Sequence, residues 1–227
     1  SMFYGATDFN ENISTWNTSN VLNMAEMFSG AESFNQNIAG WDTSKVTDMN
    51  SMFSGADAFN QPIGAWDTSR VIDMHEMFYS ANNFNQPIGA WDTGNVSEMD
   101  GMFLGASLFN QDISGWNTSN VTDMRWMFIF ASAFNQNISS WDIHNVTNMT
   151  DMFSNAGLFT ENYDSLLGGW SSQNVKSGVF FNAGTSKYSN CSVNNATAAR
   201  AVLIDTYNWT ITDGGFNASY VCSVEPD

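Results

Sequence analysis

The sequence predicts an α/β repeat solenoid, and three observations predict it. Two Phe columns, one Trp column and one Val column recur every 25 residues without a slip. All 13 methionines fall into two further columns in the same register. So many apolar positions per repeat exceed what one hairpin or helix can bury alone, so repeats must stack and hide them as continuous ladders.

The columns fix the frame. Phe runs from Phe3 through Phe28 and Phe53 to Phe153, and again from Phe9 through Phe34 to Phe159. Trp runs from Trp16 to Trp141, Val from Val21 to Val146, and Met from Met2 to Met152 and from Met24 to Met149. About seven turns follow, starting at residues 2, 27, 52, 77, 102, 127 and 152. This period lies inside the range of about 20–29 residues used by leucine-rich repeats. The predicted turn is therefore leucine-rich-repeat-like, a short strand plus a short helix or 3-10 segment, with Phe, Met and Trp in place of Leu.

Val-x-x-Met, as in Val46–Met49, follows a turn signal and is expected to be the strand. Met-Phe-x-x-Ala-x-x-Phe places apolar residues at i, i+1, i+4 and i+7, the spacing of a short helix or 3-10 segment. Trp-Asp-Thr-Ser reads as a turn, because an Asp or Asn side chain can accept from the backbone N–H two residues on. Pro62 and Pro87 sit in the return segment, where no ladder donor is required. Asn10, Asn35, Asn60, Asn85, Asn110 and Asn135 stand beside buried Phe and are expected to point inward and satisfy backbone groups of the stack.

The seventh turn departs from the template. Trp170 follows Trp141 by 29 residues, and Gly178 stands where Met is expected. Residues 195–207 read as one helix with Ala196, Ala199, Val202, Leu203 and Tyr207 on one side, and Trp209 onward as a strand and turn. The division is a repeat region over 1–180 and a C-terminal α+β cap over 181–227, needed because a stack end exposes apolar ladders. Ser1-Met2-Phe3 aligns with Ser51-Met52-Phe53, so no N-terminal cap is visible. The chain is accordingly expected to be a monomeric segment of a longer protein.

Composition narrows function. An apolar fraction of 43% argues against disorder. Six Lys and Arg against 23 Asp and Glu give a formal charge of -17, which repels nucleic acid and anionic lipid. No apolar run is long enough for a membrane helix, so no membrane insertion is expected. There is no Gly-rich phosphate loop, Cys-x-x-Cys pair or His-Glu-x-x-His helix, so no cofactor is expected. His75 and His144 stand about three turns apart, roughly 14 Å at about 4.8 Å per turn, too far for a shared proton relay. These readings speak against an enzyme.

The repeat Met-Phe-x-Gly-Ala-x-x-Phe-Asn-Gln-x-Ile-x-x-Trp-Asp-Thr-Ser-x-Val-Thr-Asp-Met, carried without a gap by residues 1–159, resembles the BspA-like leucine-rich-repeat surface proteins. The resemblance is to the branch catalogued as a mycoplasma lipoprotein-associated domain of unknown function. The ending from Glu161 to Trp170, with Ala199-Arg200 and Ile204–Trp209, is similar to the terminal region of such proteins from marine bacteria. The resemblance implies an extracellular or cell-surface, often adhesive, protein and supplies no catalytic residues.

Two surface features stand out. Turn six places Arg125, Trp126, Ile129 and Phe130 where other turns carry small or polar residues, with Leu104 and Tyr79 one and two turns back in the Ile129 column. Such a cluster is expected either to meet a protein or glycan partner or to pack under the cap. Asp48, Asp73, Glu98 and Asp123 form an acidic column flanked by Asn23 and Asn148. It is read as a solvated face, with weak Ca²⁺ binding at Asp73, Glu98 and Asp123, or the grip of a basic peptide, as the functional alternatives. The expected function is recognition or adhesion, a structural spacer is the alternative, and a glycan-active enzyme or an ice-binding Thr18–Thr118 column is a remote one.

Cys191 and Cys222 lie in the last quarter. One disulfide tying down the terminal segment is expected, two buried free thiols being the alternative. Alkylation of the folded protein without reductant should leave the intact mass unchanged; addition of two alkyl groups would contradict the pairing.

Overall fold

The computed structural model of the chain describes residues 1–191 and 195–222. The expected capping region therefore includes residues 192–194 and 223–227, which lie outside the described part. Successive 25-residue units stack in register through a ladder of parallel bridges, Asn23 to Asp48, Asp73, Glu98, Asp123 and Asn148 in turn.

The backbone explains why no helix forms in these units. In the third turn the amides of Ser51, Phe53 and Gly55 donate to the carbonyls of His75, Met77 and Tyr79 in the next turn. The intervening amides of Met52, Ser54 and Ala56 donate back to Met49, Ser51 and Phe53. Donors thus alternate between the neighbouring turn and a local tight turn. The expected helix or 3-10 segment becomes a chain of turns, because every second N–H is already committed. The expected strand Val46–Met49 narrows to the bridged Asp48. The Asp48 side chain closes a tight bend by accepting from the amide of Asn50, which ends extended pairing.

The core is a set of ladders. Phe28 to Phe153 stack turn on turn with ring centroids 5.1–5.7 Å apart. Within a turn the two Phe columns meet face to face, as Phe53 and Phe59 do at 3.9 Å. Each offset turn-to-turn pair contributes about 0.5–1.5 kcal/mol beyond its burial. The indole N–H of Trp41, Trp66, Trp91, Trp116 and Trp141 each donates to an Ile carbonyl of the preceding turn.

Two polar ladders hold the turns together from the sides. Thr18, Thr43, Thr68, Thr93 and Thr118 are buried, and each hydroxyl donates to the carbonyl of the Asp or Asn one position back in the next turn's column. A buried, fully engaged Thr column offers no array of free hydroxyls to ice. Each Asn in the column from Asn10 to Asn110 accepts, through Oδ1, from the backbone N–H of the next Asn and from the adjacent Gln side chain. These Asn lie at the rim, exposed or half-buried, and do not point into the core. Their partners are backbone amides at the surface edge.

At the seventh turn the chain enters α1, Thr160–Ser171. Tyr163, Leu166, Leu167 and Trp170 form its buried face. The insertion displaces Trp170 from the Ile carbonyl column, and its indole N–H has no partner among the described residues. β1, Phe180–Asn182, and β2, Thr210–Thr212, pair in parallel. Phe181 also bridges to Met149, so the two strands continue the ladder of the repeats. Between them lie α2, Ala196–Ala201, capped by the Asn195 side chain, and a π-helical turn, Val202–Thr206. The wider π turn rotates Val202 outward to 38% exposure, whereas Ala196, Ala199 and Leu203 are buried as expected. A disulfide joins Cys191 to Cys222.

Thr68→Val should lower stability by about 1–3 kcal/mol in urea unfolding, because the Asp92 carbonyl then loses a buried donor. Thr47→Val, at an exposed position, should change it by under about 0.5 kcal/mol. Equal effects of the two would contradict the assigned role.

Candidate functional site

The same backbone pattern shapes the turn-six surface. Two columns carry positive φ. One contains Glu26, Ser51, Glu76, Gly101, Trp126 and Asp151, and the other Gly5, Gly30, Gly55, Ser80, Gly105, Phe130 and Asn155. Other turns place Gly or polar residues there. Trp126 (φ 60°) and Phe130 (φ 57°) instead put bulky side chains on left-handed backbone. For such residues this conformation costs about 1–2 kcal/mol. Both are exposed, at 38% and 55%, so burial returns little of that cost.

The structure places Tyr79, exposed, and Leu104 and Ile129, half-buried, in one column of adjacent turns. The Arg125 guanidinium lies 5.0 Å from the Trp126 ring centroid. Its Nη2 is 3.4 Å from Asp100 Oδ2, and its Nε is 3.5 Å from Asp123 Oδ2 without hydrogen-bond alignment. Arg125 therefore joins the aromatic patch to the acidic column, a link that sequence spacing alone did not reveal. Asp100, among the buried polar residues, was missed because its position in the repeat is otherwise Ala, Asn, His, Arg or Thr.

Three of the four carboxylates of the column are individually occupied. Asp48 accepts from Asn23, Asp73 from the His75 amide and ring, and Asp123 from the Arg125 amide and Asn148. Asp73, Glu98 and Asp123 do not converge: among the described residues no group of three His, Cys, Asp or Glu could hold a metal ion. Burial, and then the charges of Asp100, Asp73 and Asp123, raise the Glu98 carboxyl above its ordinary range. The two histidines are each tied to the carboxylate two residues before them, His75 to Asp73 and His144 to Asp142.

A model of the family described as "Mycoplasma protein of unknown function, DUF285" matches residues 1–91 and 80–195. The chain belongs to this family. No curated protein and no solved structure matches it. The second DUF285 match runs beyond the regular repeats through α1 and β1.

The C-terminal part of this DUF285 chain holds a buried polar network that sequence reading missed. Tyr163 and Arg200 both donate to Asp213 Oδ2 at 2.8 Å, and Arg200 lies over the Tyr188 ring. Burial and the Asp213 carboxylate push the Tyr163 phenol up. Asp164, buried in α1, accepts from the amide and hydroxyl of Ser189. These contacts fasten α1, α2 and β2 to one another. The available signal was the Tyr163-Leu166-Leu167-Trp170 helical spacing, masked by Gly168 and Gly169.

The raised Glu98 pKa has a definite pH consequence. Its protonated form favours the fold fully below the unfolded glutamate value of about 4.3, and this contribution is lost as pH rises through the higher folded value. Glu98→Gln should therefore raise the melting temperature at pH 7, with the gain vanishing by about pH 4. A gain that is the same at both pH values would contradict the charge-crowding account.

Proposed function

We propose that this chain is a leucine-rich-repeat-like solenoid of the BspA-like kind, working outside the cell as a recognition or adhesion module for a protein or glycan. The carrying observation is the pair Trp126 and Phe130, exposed aromatics on left-handed backbone. Repeat packing does not require them, since Ser51 and Gly55 occupy the same positions three turns earlier in the stack. The described cap leaves them uncovered. Exposed Trp beside Arg is the composition of an interface centre.

Location is supported by chemistry. A disulfide persists in oxidising compartments. No helix among the described residues is long and apolar enough to cross a membrane. The charge of -17 disfavours nucleic acid partners. The engagement of both histidines in local turns supports a binding role over catalysis. A spacer role would be served by seven uniform surfaces, and turn six is the observation against it.

The variant Trp126→Ser with Phe130→Gly restores residues used by other turns. It should keep or raise the melting temperature, because Gly relieves the left-handed backbone at 130 and Ser at 126 is a residue that the same column already accepts at Ser51. On a combined protein and glycan array, at least one ligand held by the unaltered chain should bind the variant more weakly by over about 2 kcal/mol. Unchanged binding of every captured ligand would remove the turn-six surface from the interface.

A further inference from the structure

A second feature lies where the repeats give way to α1. A cleft of about 620 Å³ opens there, with Asn155, Phe159, Glu161, Lys187, Asn217 and Tyr220 in its lining. Its volume falls in the range of about 300–1,000 Å³ used by small-ligand sites. Phe159 is the informative residue. Its column partners Phe34, Phe59, Phe84, Phe109 and Phe134 are at most 1% exposed, whereas Phe159 is 68% exposed. The cause is local: Leu158, one residue earlier, is buried in the core, and Phe159 becomes the residue that opens α1. The Asn135 side chain accepts from the Phe159 amide at 2.8 Å and fixes the backbone. An aromatic ring is thus expelled from the ladder and held on a fixed support beside a cleft.

We propose that this cleft binds a short neutral oligosaccharide, with one sugar ring resting on Phe159. The proposal rests on the recognition reading above and assigns it a second surface and a ligand class. Four observations choose the class. A flat exposed ring offers its electron-rich face to the polarised C–H groups of a pyranose. The rim is amide and hydroxyl chemistry, Asn155, Asn217 and Tyr220, matched to vicinal hydroxyls. The one carboxylate among these six, Glu161, accepts from the Tyr220 hydroxyl at 3.0 Å through Oε1, and a carboxylate has lone pairs enough to accept a sugar hydroxyl as well. The lining carries one cation, Lys187, and one anion, Glu161, so it offers no net positive charge to set against the overall charge of -17, which disfavours sialylated and uronate-bearing chains.

The test uses the full chain on an array of neutral gluco-, manno-, galacto- and N-acetylhexosamine oligomers beside sialylated and uronate-bearing glycans. Neutral oligomers should be captured, and calorimetric titration of the best one should show at least a tenfold loss of affinity in Phe159→Ala. Phe159→Leu, which keeps apolar volume without a flat ring, should lose as much, and Phe159→Tyr should retain binding, all with unchanged melting temperatures. Trp126→Ser with Phe130→Gly should leave this affinity unaltered. Capture of no neutral glycan, preference for anionic glycans, or indifference to Phe159→Ala and Phe159→Leu would each overturn the proposal. A ligand lost only in the turn-six variant would overturn the cleft assignment while leaving the recognition reading in place.

Discussion

Everything in the regular part of this chain depends on how its backbone amides are shared. Along Ser51–Ala56, alternate N–H groups bond the next turn and the others close local turns. This leaves no spare donors for helix or extended strand. It also forces the same backbone shape on every repeat, since each of these amides must meet a carbonyl of the next turn. The side chains inherit that identity. A Phe above a Phe, a Thr above an Asp carbonyl and an Asn beneath an Asn amide are consequences of one backbone register.

The same constraint separates what can vary from what cannot. Columns that face the core or satisfy a neighbouring carbonyl are uniform because a change disturbs two interfaces, above and below. The left-handed columns are different. Their amides feed the ladder, but their side chains leave the stack, so the fold tolerates Gly, Ser, Glu, Asn, Trp or Phe there at the expense of local strain. Surface chemistry can be written onto these positions without altering the core. Turn six uses both at once, and Arg125 ties the resulting aromatic pair to Asp100 and Asp123. Crowded carboxylates along the bridged column, Glu98 above all, are the electrostatic cost of repeating an acidic residue in register.

Much of this was legible in the sequence, and the failures have physical causes. The Phe, Trp, Val and Met columns predict the buried ladders because periodicity reports burial directly. The Asp-Thr-Ser bend, the pairing of Cys191 with Cys222 and a strand after Trp209 follow from side-chain chemistry and spacing. The strand and helix of each turn were overread: apolar spacing shows which residues face inward but not where amides donate. α1 was missed because Gly168 and Gly169 interrupt its pattern. Trp126 and Phe130 were legible as departures from the template, but their left-handed backbone was not, since only the geometry of the other turns reveals it. The cleft beside Phe159 was hidden because its residue looks like one more member of a core column.

The stacking of turns on nearest neighbours alone has a mechanical meaning. A chain pulled from its two ends is loaded one turn at a time, because each 25-residue unit is held only by the rungs beside it. Each turn that peels away releases about 25 residues, on the order of 80–90 Å of contour at full extension. The Cys191–Cys222 bond keeps tension out of the segment between them, which contains α2 and β2. Under load from its ends the regular part is expected to yield turn by turn, with the disulfide-closed segment shielded, where a single cooperative core would fail at once.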